Sequence, residues 1–200
     1  MSDRTLVPTQ SAFLELKEER AGMREGYRFL DEKRLILAAA ILAELEAYEH
    51  ASRQLQADFL SAVDALRAAV ARHGVEGLAV YPAARLEDPG WQLAPRSVLG
   101  VALQDLTDPS VVIADVPASL ATSPEGEACR RAFLALIPHA AELAARAANL
   151  DRLRADYART ARRARALEDV LLPELDETLR GIASALEELE REEVIRARRR

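Results

Sequence analysis

Aromatic residues are scarce in this 200-residue chain, at 4% of the total, with a single tryptophan and a single cysteine. A compact core filled by large rings is therefore excluded. Half of the residues are apolar, mostly alanine and leucine, and 30% are charged. With a helical period, that is the composition of long paired helices. One cysteine cannot close an internal disulfide, which fits a reducing compartment, and Cys129 reads as an inert thiol. The net charge of −6 argues against nucleic acid as the main partner. No run is long and apolar enough to span a bilayer. The most apolar, Leu35 to Leu45, is short and alanine-rich. Met1 to Thr9 lacks the apolar centre of a signal peptide. The chain is expected to be soluble and cytoplasmic, without direct membrane insertion.

Catalytic signatures are missing too. Neither G-x-x-x-x-G-K-[ST] nor G-x-G-x-x-G occurs, so no loop is built to cradle a phosphate. His50, His73 and His139 are far apart and lack the spacing of metal ligands. No serine or histidine stands in a nucleophile motif. The acidic pairs Glu18-Glu19, Glu187-Glu188 and Glu192-Glu193 read as solvated helix faces. These absences predict no catalytic residue, no metal and no cofactor.

What the chain does have is period. From Leu143 to Ile195 a seam reads Leu143, Ala147, Leu150, Tyr157, Ala161, Ala164, Leu171, Leu175, Thr178, Ile182, Leu189. Steps of three and four keep these on one helix face. So long a stripe needs a partner helix of similar length. A second seam supplies it: Phe13, Leu16, Arg20, Met23, Tyr27, Leu30, Arg34, Leu37, Ile41, Leu45, Tyr48, then Leu55, Phe59, Leu66 and Val70. Pro8-Thr9 opens that helix, with Thr9 or Ser11 as cap. His73-Gly74 ends it. Arg20 and Arg34 sit on the seam, either fixing register or contacting a third chain.

From 74 to 126 the texture changes. Five of the eight glycines and six of the nine prolines lie there. Short apolar runs, Leu78 to Tyr81, Val98 to Leu103 and Val111 to Val116, are separated by the turn signals Asp88-Pro89-Gly90 and Thr107-Asp108-Pro109. This predicts a small β-containing insert, with Trp91 packing it down. The second helix starts at Ser123-Pro124-Glu125. Pro138 should kink it or split off a short helix, and Pro173 interrupts it again. The chain closes on Arg196, Arg198, Arg199 and Arg200, which either cap the helix electrostatically or dock an acidic surface.

The expected fold is all-α: a long antiparallel two-helix coiled coil with a small β-containing insert at the far end. The segments are 1–73, the N-terminal helix, 74–126, the insert, and 127–200, the C-terminal helix, forming one structural unit. Both chain ends should meet at one tip, with Leu6 to Arg24 beside Glu177 to Arg200.

Two blocks of residues carry a resemblance. The first is Pro8-Thr9, Phe13-Leu14-x-Leu16-Lys17, Gly26, Phe29-Leu30 and Lys33-Arg34. The second is Arg162-Arg163, Ala166-Leu167-Glu168, Pro173, Leu175, Thr178 and Leu186-Glu187-Glu188-x-Glu190-Arg191-Glu192. Together they resemble the D subunit of the V-type and archaeal A-type ATPases or ATP synthases. The match covers about the first thirty-five and last forty residues. Tyr27 stands where the family has histidine, Arg165 where it has asparagine, and Glu15, Glu18, Glu19 and Glu25 enter a helix that is basic in the family.

The resemblance implies a non-catalytic central rotor stalk, peripheral to the membrane. Its partners would be the catalytic hexamer of A and B subunits, the F subunit, and the d or C subunit that joins the membrane ring. Suspected interface residues are Arg20, Lys33, Arg34, Arg162, Arg163, Glu168, Arg196, Arg198, Arg199 and Arg200. The competing readings are a coiled-coil adaptor or prefoldin-like binding module, the gamma chain of an F-type synthase, and an enzyme with a site in the insert.

Overall fold

Thr9 starts the first helix. Its Oγ1 accepts the backbone N–H of Ala12 at 3.2 Å and its carbonyl accepts that of Phe13 at 3.0 Å. Ser123 does the same for the second: Oγ accepts from Gly126 N–H and the carbonyl from Glu127 N–H, both at 3.0 Å. Pro124 follows at the first helical position, where its missing N–H costs nothing. Both expected starts are observed.

A computed structural model describes residues 7–79, 91–107 and 123–199. Helix α1 is Gln10–Ala79, strand β1 Leu93–Val98, strand β2 Val101–Leu106, and helix α2 Pro124–Ala166. A π turn, Leu167–Leu171, leads into helix α3, Leu172–Arg198. The fold is all-α, a long antiparallel helix pair with a small two-stranded insert. No described helix is long and apolar enough to cross a membrane.

The chain divides into two units, Met1–Ile36 with Asp156–Arg200, and Leu37–Ala155. In the first, Arg20 pairs with Asp176, Lys33 Nζ lies 2.9 Å from Asp156, and a Cβ on Gly26 would be 4.0 Å from Leu167. Numbers rise on one helix as they fall on the other, so the pair is antiparallel. Its buried positions include Thr160, Ala164, Leu179 and Ile182. In the second unit, Glu44 faces Arg146, Asp58 faces His139 at 2.9 Å, and His73 hydrogen-bonds Ser123. The sense is again antiparallel. Leu37, Ala62, Ala69, Leu103 and Leu153 form its core.

The expected α1 seam holds from Phe13 to Ile41 and then slips by one residue. Glu44 is buried while Leu45, Phe59 and Leu66 are exposed. A straight α-helix drifts against a strict seven-residue repeat, and alanines such as Ala62 and Ala69 give an apolar count no sharp phase. In the second seam, Asn149, Leu153, Thr160 and Leu179 are buried in place of neighbours expected to face in. Leu189 is exposed. Phe13 lines one groove with Leu179 and Ala183, so α1 begins opposite the middle of α3. Residues 187–199 are all exposed. The expected pairing of Glu177 to Arg200 with the start of the chain therefore stops short of its end.

Prolines and glycines fall into three classes. Gly74 has φ 68°, a left-handed conformation that suits glycine, and breaks α1 before a last helical stretch to Ala79. Pro138 splits nothing off, since α2 runs through it. Pro173 interrupts the helix, as expected, and does so by a π turn. Leu172 N–H bonds the Leu167 carbonyl, five residues back, and Pro173 enters just inside α3. A proline cannot donate to the carbonyl four residues back and its ring crowds that carbonyl. The wider turn relieves both problems.

The insert holds an antiparallel hairpin, with Leu93 opposite Leu106 and Val98 opposite Val101. Its turn is Leu99-Gly100, both at positive φ (47° and 85°), the geometry that matches strand twist. The run Val98 to Leu103 is thus not one strand: the turn lies inside it, and Gly100 is what makes that possible. Trp91 precedes β1. The turn signal at Asp88-Pro89-Gly90 and the run Val111 to Val116 lie outside the described residues, as do Tyr81 and Asp108-Pro109.

These burials separate the two phases by experiment. Leu153→Ala should lower unfolding stability by about 2–4 kcal/mol and Leu189→Ala by under about 0.5 kcal/mol, read from denaturant midpoints. Equal losses would show that the buried face is assigned wrongly.

Candidate partner-contact surfaces

Half of the suspected charges have partners within the first unit. Arg20 forms its ion pair with Asp176 across the helices, both half-buried. Lys33 meets Asp156 across the helices. Arg34 turns to Asp31 on its own helix. Arg196 pairs with Glu192 at 3.0 Å, fully at the surface, where such pairs are worth little. Arg198 and Arg199 are exposed, and Arg200 lies outside the described residues. Arg162 and Arg163 are exposed and make no ion pair among the described residues.

The two sequence blocks come together at the π turn. Gly26 lies against Leu167, and Tyr27 against Glu168. A hydrogen bond to the Glu168 carboxylate raises the Tyr27 pKa above its ordinary value, because losing the phenolic proton there would set two anions side by side. Residues some 140 apart in sequence therefore form one local arrangement.

The second unit holds a polar cluster that no periodicity signalled. Glu44, 6% exposed, receives Arg96 of β1 at 3.0 Å and has Arg146 of α2 at 3.8 Å. Arg96 also donates to Asp105 at 2.8 Å. Its pKa is raised, first by that hydrogen bond and further by Glu44, against the opposing effect of burial. Asn149, the one asparagine in the chain, is fully buried. Its Oδ1 accepts Gln104 N–H and its Nδ2 donates to the Gln104 carbonyl, both at 2.9 Å. Arg152 donates to Gln104 Oε1 at 3.1 Å.

The hairpin register explains this pairing. Thr107 N–H bonds the Gln92 carbonyl, so alternation makes Gln104 opposite Pro95 a non-bonded pair. Gln104's N–H and carbonyl point away from β1, towards α2. Pro95 sits where a missing N–H breaks no ladder bond. Asn149 supplies both halves of the absent third strand and covers the edge. The hairpin therefore lies back along the helices, beside Glu44 and Asn149.

Cys129 is partly buried, and burial raises its thiol pKa. Among the described residues no group of three or more His, Cys, Asp and Glu could hold a metal ion.

The sequence model of the ATP synthase D-subunit family matches residues 12–199, from the first turn of α1 to just past α3. The chain belongs to the ATP synthase D-subunit family. It is 33% identical over 196 residues to the V-type ATP synthase D subunit of Anaeromyxobacter dehalogenans, covering 96% of this chain and 93% of that one. It is 28% identical over 199 residues to the V-type D subunit of Thermotoga neapolitana, covering 98% and 96%. To the A-type D subunit of Methanoregula boonei it is 28% identical over 202 residues, covering 100% and 97%. The family frame thus takes in the hairpin, which the sequence motifs matched only in position and size.

Removing one partner of the buried charge tests the docking. Arg96→Ala should cost about 1–3 kcal/mol, discounted because the arginine is partly exposed, by leaving Glu44 uncompensated. Adding Glu44→Leu should recover most of it. In Asn149→Ala, amide hydrogen exchange should accelerate in β2 while helix content stays unchanged. Loss of helix instead would make Asn149 part of the helix pair's own stability.

Proposed function

We propose that this chain is the central rotor stalk of a V- or A-type ATP synthase or ATPase. As a D-subunit family member it is a named component of such a complex. The observation that carries the reading is the family match along the whole antiparallel helix pair. In this reading it carries rotation between the A–B hexamer and the membrane ring, and contacts the F subunit and the subunit that joins the ring. It has no chemistry of its own. Its role is to present different side chains to each catalytic interface as it turns. Differential contacts are what shift an interface between states.

Two features support this division of labour. Residues 187–199 form a helical end whose side chains are all exposed, with Leu189, Val194 and Ile195 about half exposed. An isolated helix end in water has little reason to carry three large apolar residues, but a seat in a partner would give it one. Arg196, Arg198 and Arg199 add positive charge at the helix C-terminus.

The decisive assay is co-purification of the full chain with co-expressed A, B and F subunits. Wild type should assemble and support coupled ATP hydrolysis, while the purified chain alone should hydrolyse no ATP. Truncation after Glu193 should keep helix content and binding of the F subunit but weaken association with the A–B hexamer, most at low salt, where the removed arginines contribute most. Unchanged hexamer binding and rotation in the truncated chain would overturn the assignment of this end. Failure of the wild type to join any of the subunits would overturn the stalk reading itself.

A further inference from the structure

Seven consecutive residues of α2 hold four arginines, Arg159, Arg162, Arg163 and Arg165, all exposed. Only Arg159 has an ion pair among the described residues, to Asp156 at 3.2 Å, and Asp156 is already shared with Lys33. No acid stands between Asp156 and Glu168. Like charges three and four residues apart destabilise a helix by a few tenths of a kcal/mol per pair. The chain as a whole is negative. A concentrated positive face on an acidic protein is a local feature that self-solvation does not explain.

Its position adds a second element. Gly26 beside Leu167 and Lys33 beside Asp156 bracket this level of the pair. Between them α1 carries Phe29, 63% exposed and the most exposed aromatic side chain described. An apolar anchor at the level of a charged helix face has the make-up of a protein interface: a hydrophobic centre with arginine around it.

We propose that Arg159, Arg162, Arg163 and Arg165, with Phe29 at the same level, dock an acidic helix of a partner protein in the complex. The spacing commits to that occupant. Arginines three and four apart on a helix place their Cβ atoms about 5–6 Å apart, which matches carboxylates at the same spacing on a facing helix. Guanidinium groups accept carboxylates in paired, parallel hydrogen bonds, so such a face reads position as well as charge. A nucleic acid fits less well. The basic stretch from Arg159 to Arg165 has no interleaved aromatic residues on which bases could stack. The inference rests on the stalk reading for the source of the helix, though not for its chemistry.

Two arms test it. In the first, the full-length chain is titrated at low salt with a labelled alanine-based helical peptide bearing glutamates three and four residues apart, and with a DNA duplex of equal charge. The peptide should bind, and Arg162→Glu with Arg163→Glu should weaken binding roughly tenfold or more. Arg162→Lys with Arg163→Lys should keep part of it, and Arg198→Glu with Arg199→Glu should leave it unchanged. No peptide binding, equal binding by the charge-reversed chain, or tighter binding of the duplex would each overturn the proposal. Circular dichroism checks that the reversed chain keeps its helix content. In the second arm, wild type and the reversed chain are co-expressed with A, B and F subunits and washed with rising salt. Release of the reversed chain at lower salt is expected. Equal retention defeats the proposal and leaves the stalk reading standing. If wild type itself fails to assemble, the stalk reading falls, and the peptide titration alone decides whether the face takes an acidic helix.

Discussion

A carboxylate cannot be taken out of water without a cation beside it, and Glu44 is taken almost wholly out of water. Its place on α1 would be the next apolar position of the seam. The partner that reaches it is Arg96, from the hairpin. This one requirement ties the insert to the helices. Were the hairpin elsewhere, Glu44 would retain only Arg146, at 3.8 Å and already committed to Glu142. A buried ion pair adds little net stability against a hydrophobic replacement, but it penalises every arrangement in which one partner is missing. Here that penalty selects the position of the hairpin.

Asn149 acts by the same logic on hydrogen bonds. A two-stranded sheet has two open edges and is marginal alone. The carboxamide of Asn149 meets Gln104 as a neighbouring strand would, and Leu103 of the same strand is fully buried. Charge sets the site, the carboxamide sets the register, and apolar burial at Val101 and Leu103 supplies the driving force. None of the three would suffice. The apolar part is small, and the polar parts are directional but weak in net terms.

Local signals were legible in the sequence because their physics is local. Ser123 caps as read, Thr9 is the one of the two candidate caps that is used, Gly74 breaks α1 where the sequence reading ended it although helix resumes to Ala79, and the fold class followed from two long periodic runs joined by a glycine- and proline-rich segment. The fold family, too, was visible in short motifs, two of which meet at Gly26 and Leu167. What escaped was seam phase and everything that depends on distant partners. Alanine-rich helices give apolar residues on several faces, so counting them cannot decide between Leu45 and Glu44. Neither Glu44 nor Asn149 drew a reading from the sequence, because their partners Arg96 and Gln104 are remote from them along the chain. The turn at Leu99-Gly100 hid inside an apolar run, since a leucine at positive φ is the less expected half of it. Of the suspected interface residues, Arg20 and Lys33 turned out to have partners within the helix pair, while Arg162 and Arg163 did not.

That contrast separates structural charge from charge left for others. Cross-helix pairs such as Arg20 with Asp176 and Lys33 with Asp156 lie at the margin of the seam, half-buried, where a mismatch would be felt. They fix which residue faces which. Helix pairs rich in alanine need such fixing, because small side chains interlock weakly and neighbouring registers differ little in apolar burial. Pro173 marks one level of the pair. The π turn that leads into it lies beside Gly26, where an added Cβ would sit 4.0 Å from Leu167, an ordinary contact distance. Sliding the helices by one turn would part Arg20 from Asp176 and Lys33 from Asp156. The position of the helices along one another in this unit is therefore set by two cross-helix ion pairs as well as by the apolar stripe that first suggested it.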